Sequence, residues 1–103
     1  MAPNRLETLK TLVAQSPQDS FLRYGLAMEY RNTGDMESAL REFRTLMEIN
    51  PDYVASYFHA GQTLERMGRP EEARQVYLTG IEVSGRKGDL HARSELQGAL
   101  DLL

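Results

Sequence analysis

From Leu26 to Phe43 the chain reads Leu-Ala-Met-Glu-Tyr-Arg-Asn-Thr-Gly-Asp-Met-Glu-Ser-Ala-Leu-Arg-Glu-Phe. From Ala60 to Tyr77 it reads Ala-Gly-Gln-Thr-Leu-Glu-Arg-Met-Gly-Arg-Pro-Glu-Glu-Ala-Arg-Gln-Val-Tyr. The two stretches lie 34 residues apart and share one grammar. Gly34 returns as Gly68, Glu37 as Glu71, Ala39 as Ala73, and Phe43 as Tyr77. Working outward, Pro17 pairs with Pro51, Tyr24 with Phe58 and Glu48 with Glu82 at the same offset. A fixed period of this size marks a helix-turn-helix solenoid, in which each unit buries its apolar face only against its neighbours. The spacing predicts an all-α chain of about six helices and points to recognition rather than catalysis.

Helical periodicity fills in the elements. Asn4 to Gln15 puts Leu6, Leu9, Leu12 and Val13 on one face and stops at Ser16-Pro17. Asp19 and Ser20 can cap a second helix carrying Leu22, Leu26, Ala27 and Tyr30 inward, which Gly34 ends. Asp35 can cap a third, Met36 to Ile49, with Ala39, Leu40, Phe43, Leu46 and Met47 inside. A fourth is expected from about Tyr53 to Met67. A fifth, with Pro70 just inside its start, runs to about Arg86, and Gly85 is read as its fraying end. Gly88-Asp89 then opens a last helix, Leu90 to about Leu102, presenting Leu90, Leu96, Ala99, Leu100 and Leu103.

Bulk composition narrows the function classes. The 103 residues allow one domain; 41% are hydrophobic and 26% charged, a globular balance. Net charge is −3, so no basic face is expected and nucleic acid is not an expected partner. There is no cysteine, hence no disulfide framework and no thiolate zinc site. No apolar run approaches the ~20 residues that span a bilayer, and the start lacks a signal-peptide core. A cytoplasmic protein without membrane attachment is the expectation.

At this point the residues resemble the tetratricopeptide repeat (TPR) family. The family's pattern has a Leu/Ala-then-small pair in the first helix, matched by Leu26-Ala27 and Ala60-Gly61. A large residue follows three on (Tyr30, Leu64), then the turn glycine. The second helix has a small residue and an aromatic four later: Ala39 with Phe43, Ala73 with Tyr77. Arg23 and Tyr57 replace the family's early tryptophan. Leu46 departs from its late small residue, and Gly85 from its closing proline. The resemblance implies one domain over 1–103: a half-repeat helix at 4–19, repeats at 20–53 and 54–87, and a capping helix at 88–103. The Lys87-Gly88-Asp89 turn and leucine-bearing end also resemble small stand-alone bacterial TPR proteins, a likeness that implies no established activity.

Chemistry is hard to find along the chain. His59 and His91 have no metal-ligand spacing, and a surface or groove-rim place suits them better. Gly80 to Lys87 resembles a phosphate loop, but lacks the Gly-Lys-Ser/Thr ending and a preceding strand. No nucleophilic serine turn or paired-carboxylate cleft is identified, Glu71-Glu72 being a helix-start charge pattern, so neither enzyme activity nor a cofactor or metal is expected. In the TPR resemblance, the first helix of each unit lines an inner groove. This implies groove candidates Phe21, Tyr24, Met28, Arg31 and Asn32, then Ala55, Phe58, Gln62, Glu65 and Arg66. Tyr24 and Phe58 are expected side by side, with Arg31 and Arg66 favouring an acidic group. The lysines and asparagines that clamp chaperone C-termini in some TPR domains are missing: the matching positions are Tyr24, Met28 and His59, and only Arg93 is basic in the last helix. The expected function is an adaptor that holds a protein or peptide partner in its groove. The alternative is self-association through the leucine-bearing ends, giving a weak homo-oligomer rather than a monomer. A secretion-type chaperone ranks third, because such proteins usually carry a longer array.

Overall fold

The computed structural model describes residues 4–103 as six consecutive helices, with no strand among the described residues. They are α1 (Arg5–Gln15), α2 (Ser20–Asn32), α3 (Met36–Ile49), α4 (Ala55–Arg66), α5 (Pro70–Lys87) and α6 (Leu90–Asp101). Side chains cap four of the starts. Asn4 accepts from the Glu7 amide at 2.9 Å and Asp19 from Leu22 at 3.0 Å. Asp35 accepts from Ser38 and Asp89 from Ala92, both at 3.1 Å. Each bond satisfies an amide that a helix start leaves without an intrahelical partner. α5 begins instead on Pro70, with Glu71 and Glu72 in its first turn.

The stops repeat as faithfully as the starts. Gly34 and Gly68 take left-handed φ values of 88° and 72°, which a side chain would strain. The next amide then returns to the helix: Asp35 N–H to the Tyr30 carbonyl and Arg69 N–H to Leu64, both at 2.9 Å. Two sequence expectations shift here. α4 starts at Ala55 rather than Tyr53, because the Tyr53 amide is held in the turn by the Asn50 carbonyl at 3.1 Å. Gly85 does not fray: α5 runs through it to Lys87, and the Gly88 amide closes onto the Gly85 carbonyl at 3.1 Å.

α2 pairs with α3 and α4 with α5; α3 against α4 joins the pairs. α1 leans on α2, while α6 packs on α5 and also reaches α4. One core cluster gathers Ala27, Ala39, Phe43 and Ala60. A second gathers Leu40, Tyr57, Leu64, Ala73, Tyr77, Val83 and Leu96. Small residues let the helices approach this closely. A methyl group on Gly61 would collide with the Tyr77 ring, and one on Gly80 would lie 2.6 Å from Tyr57 Cβ and 3.0 Å from Leu96 Cδ1.

Two leucines expected inside are outside: Leu12 is 37% and Leu90 69% exposed. α1 leans chiefly on α2, so a narrow stripe around Val13 is covered; Leu90 is the first residue of α6 and borders a depression with Arg93, Ser94 and Gln97 of the same helix. The replacements for the family's tryptophan share one device at the 34-residue offset. Arg23 Nη2 donates to the Pro17 carbonyl at 3.0 Å, and the Tyr57 hydroxyl donates to the Pro51 carbonyl at 2.6 Å. Arg23 also pairs with Glu42 at 2.7 Å, tying α2 to α3. The resulting body is elongated, 46 × 28 × 19 Å.

Candidate functional site

The groove candidates come from α2 and α4, and α6 supplies a third wall. Tyr24 of α2 is half-buried, its ring centroid 5.5 Å from Tyr53, 5.7 Å from His59 and 6.4 Å from Phe43. Phe58 packs edge-on against His59 with centroids 5.4 Å apart. The expectation that Tyr24 and Phe58 lie side by side therefore needs correcting: His59 stands between them. α2 and α4 do not pack directly on each other as α3 and α4 do, so equivalent rings leave a gap that an intervening side chain can fill. Gly25, the α2 counterpart of His59, offers nothing to do so.

One turn further along, Arg31 reaches from α2 to α4. Its Nη1 lies 3.0 Å from His59 Nδ1, and its Nη2 donates to Gln62 Oε1 at 3.3 Å. The arrangement requires the His59 tautomer that carries its proton on Nε2. Burial, and then the Arg31 charge, push the His59 pKa down, while Glu95 acts weakly the other way. Burial raises the Tyr24 pKa, with the Tyr53 phenol adding to it and the Arg31 charge opposing it. Glu65 accepts from the hydroxyl of Tyr77, which passes over Gly61 to reach it. Burial first, and that bond second, raise the Tyr77 pKa.

All the candidates but Arg31 border one of three depressions; Arg31 lies between them, turned onto His59 and Gln62. Phe21, Tyr24, Met28 and Asn32 line a cleft of about 210 Å³ against Arg5 and Leu9 of α1. Ala55, Phe58 and His59 face His91, Glu95 and Leu96 of α6 across a cleft of about 320 Å³. Gln62, Glu65 and Arg66 border a third, about 260 Å³. Phe21 is 73% exposed at the edge of the first. The sequence reading did not foresee His59 as the junction or the α6 wall. The only signal for the first was its place beside Phe58; the second depends on how α6 folds back. Among the described residues no cluster of His, Cys, Asp or Glu is placed to hold a metal ion, and no helix is long and apolar enough to cross a membrane.

The tetratricopeptide repeat pattern matches residues 22–53 and again 42–75. A TPR repeat-containing protein of Pseudomonas aeruginosa is 29% identical over 91 residues, which is 88% of this chain and 87% of that protein. The crystal structure of a tetratricopeptide repeat domain protein from Salinibacter ruber superposes with a TM-score of 0.75 and 41% identity, covering 80% of this chain and 91% of that one. With these matches, the chain belongs to the tetratricopeptide repeat family, whose members generally serve as scaffolds for protein interaction rather than as catalysts. The fold alone extends further: PcrH, solved in complex with the chaperone binding region of PopD, superposes with a TM-score of 0.88 at 14% identity, covering 94% of this chain and 74% of PcrH.

Proposed function

We propose that this chain is a non-enzymatic cytoplasmic adaptor that holds a peptide or helix of a partner protein along the α2–α4–α6 face. The observation carrying the reading is the row Tyr24, His59 and Phe58, whose rings meet across two helices and open onto clefts on either side. Aromatic rings with few rotors supply contact area at low entropic cost, and Met28 beside Tyr24 adds an adaptable apolar surface. PcrH offers a precedent of the same fold holding a segment of another protein. The test is affinity capture from native lysate with the parent, the Tyr24→Ala/Phe58→Ala variant and an Arg41→Glu/Arg74→Glu variant. A partner lost only by the first variant supports the groove; one lost only by the second moves the site to the opposite helices.

A second reading is favoured by Leu102 and Leu90, 89% and 69% exposed on the terminal helix. Apolar side chains left in water at one end can be covered by a second copy of the chain. Light scattering at high concentration separates the two: a monomer retains the adaptor reading, and a dimer dissolved by Leu90→Ser/Leu102→Ser supports self-association.

A further inference from the structure

His59 of α4 meets α2 on one side and borders the α6-side cleft on the other. Its Nδ1 accepts from Arg31 Nη1 at 3.0 Å, which an imidazole can do only while that nitrogen carries no proton. The guanidinium, by contrast, does not lose its charge. A proton added to Nδ1 therefore removes the acceptor and sets two cations against each other at hydrogen-bond distance. Arg31 is held in place: it is only 9% exposed, and its Nη2 donates to Gln62 Oε1 at 3.3 Å. The histidine has room to leave. The α6-side cleft of about 320 Å³ is bordered by Asp89, His91 and Glu95. Glu95 is the freer of the two acids. The Asp89 carboxylate already caps α6 through the Ala92 amide at 3.1 Å, whereas Glu95 has the exposed His91 at 3.7 Å.

We infer that His59 is a proton-operated latch: neutral, it accepts from Arg31 and ties α2 to α4; protonated, it leaves Arg31 and turns into the α6-side cleft toward Glu95. The surrounding groups set this direction. Arg31 and the Tyr24 phenol face the ring from α2, and Asp89, His91 and Glu95 face it from the start of α6. Arg66 adds to the positive field around Arg31, while Glu65 is already engaged by the Tyr77 hydroxyl of α5. Burial first, and the Arg31 charge second, push the His59 pKa below 6.5, with Glu95 opposing them. The folded value is the depressed one, so the latch contributes fully above pH 6.5 and is lost as pH falls from there through the folded midpoint. Departure of His59 breaks the row of rings between Tyr24 and Phe58, so a partner held by that row is released in acid. The latch itself does not rest on the groove reading.

The experiment is an NMR titration of the full chain from about pH 8 to about pH 5, where an imidazole changes charge. It follows the His59 ring, its nuclear Overhauser contacts and the Arg31 Nε–H. At the alkaline end the ring should be the tautomer protonated on Nε2 and should contact Tyr24. As it titrates, with a midpoint below 6.5, those contacts should give way to contacts with Glu95 and Ala92. The Arg31 Nε–H should shift with the same midpoint. His91→Gln, which leaves His59 the only imidazole in the chain, should keep this exchange of contacts. Arg31→Gln removes the repulsion and should raise the midpoint. If that variant loses its helical circular dichroism, Glu95→Gln on the exposed face of α6 carries the test: the midpoint should fall and the Tyr24 contacts should persist to lower pH. A ring that titrates at or above 6.5, or that keeps its Tyr24 contacts once protonated, overturns the inference. So does loss of helical circular dichroism of the parent chain in step with the His59 midpoint, which would make the histidine a support of the fold rather than a latch.

Discussion

At Gly61 an added methyl group would run into the ring of Tyr77, whereas at Gly98 in α6 it would meet open space. Gly61→Ala should therefore cost about 1–3 kcal/mol by overpacking. Gly98→Ala should gain about 0.5–1 kcal/mol, because alanine loses less backbone entropy in a helix. Thermal melts of the two variants should move in opposite directions. Glu72 gives a second test. Hydrogen bonding to Arg69 first, and to Arg44 after it, lowers its pKa from 4.5 to about 2. The folded value is the depressed one, so this contribution is complete above pH 4.5 and is lost as pH falls from there toward 2. Glu72→Gln should flatten the acid limb of stability over that window and leave its shape unchanged near neutrality, as urea midpoints across pH can show. At this scale the sequence was readable where a residue answers its own 34-residue counterpart, as Ala39 and Ala73 do. It was silent on the pairing of Arg31 with His59, which depends on how far α4 is displaced from α2, and no period encodes that.

The helices themselves were legible because their boundaries are written in local chemistry. Asp19, Asp35 and Asp89 cap as their positions suggest, and Gly34 and Gly68 stop as expected. The misreadings sit where tertiary contact decides. Gly85 looked like an end, yet α5 continues through it alongside α6, where a Gly85 methyl would lie 3.8 Å from Arg93. α6 is the element whose role is most open to test. Leu96 is fully buried and belongs to the cluster of Tyr57, Tyr77 and Val83. Leu96→Ala should cost about 2–5 kcal/mol, read as a lower denaturant midpoint. Removing residues 90–103 should cost more, at roughly 25 cal/mol per Å² of apolar surface uncovered, and lower solubility. An unchanged midpoint after truncation would assign α6 to something other than covering α5.

Across the whole molecule, a chain with two readable repeats needs further helices at its ends to bury its inner faces. α1 and α6 supply that cover unequally: α6 packs on both α5 and α4, α1 chiefly on α2. What this leaves open along α2, α4 and α6 is a row of clefts joined by Tyr24, His59 and Phe58. The existence of such a face was implied by the family resemblance; its division into separate clefts was not, because the dividing side chains come from different helices. The most direct measurement is chemical-shift mapping of the full chain on adding a captured partner segment, repeated with Tyr24→Ala and Phe58→Ala. Shifts centred on Tyr24, Met28, Phe58 and Gln62, with each variant weakening binding by more than about 1 kcal/mol, are the predicted result. Shifts confined to the helices around Arg41 and Arg74, with both variants binding as the parent does, would contradict it.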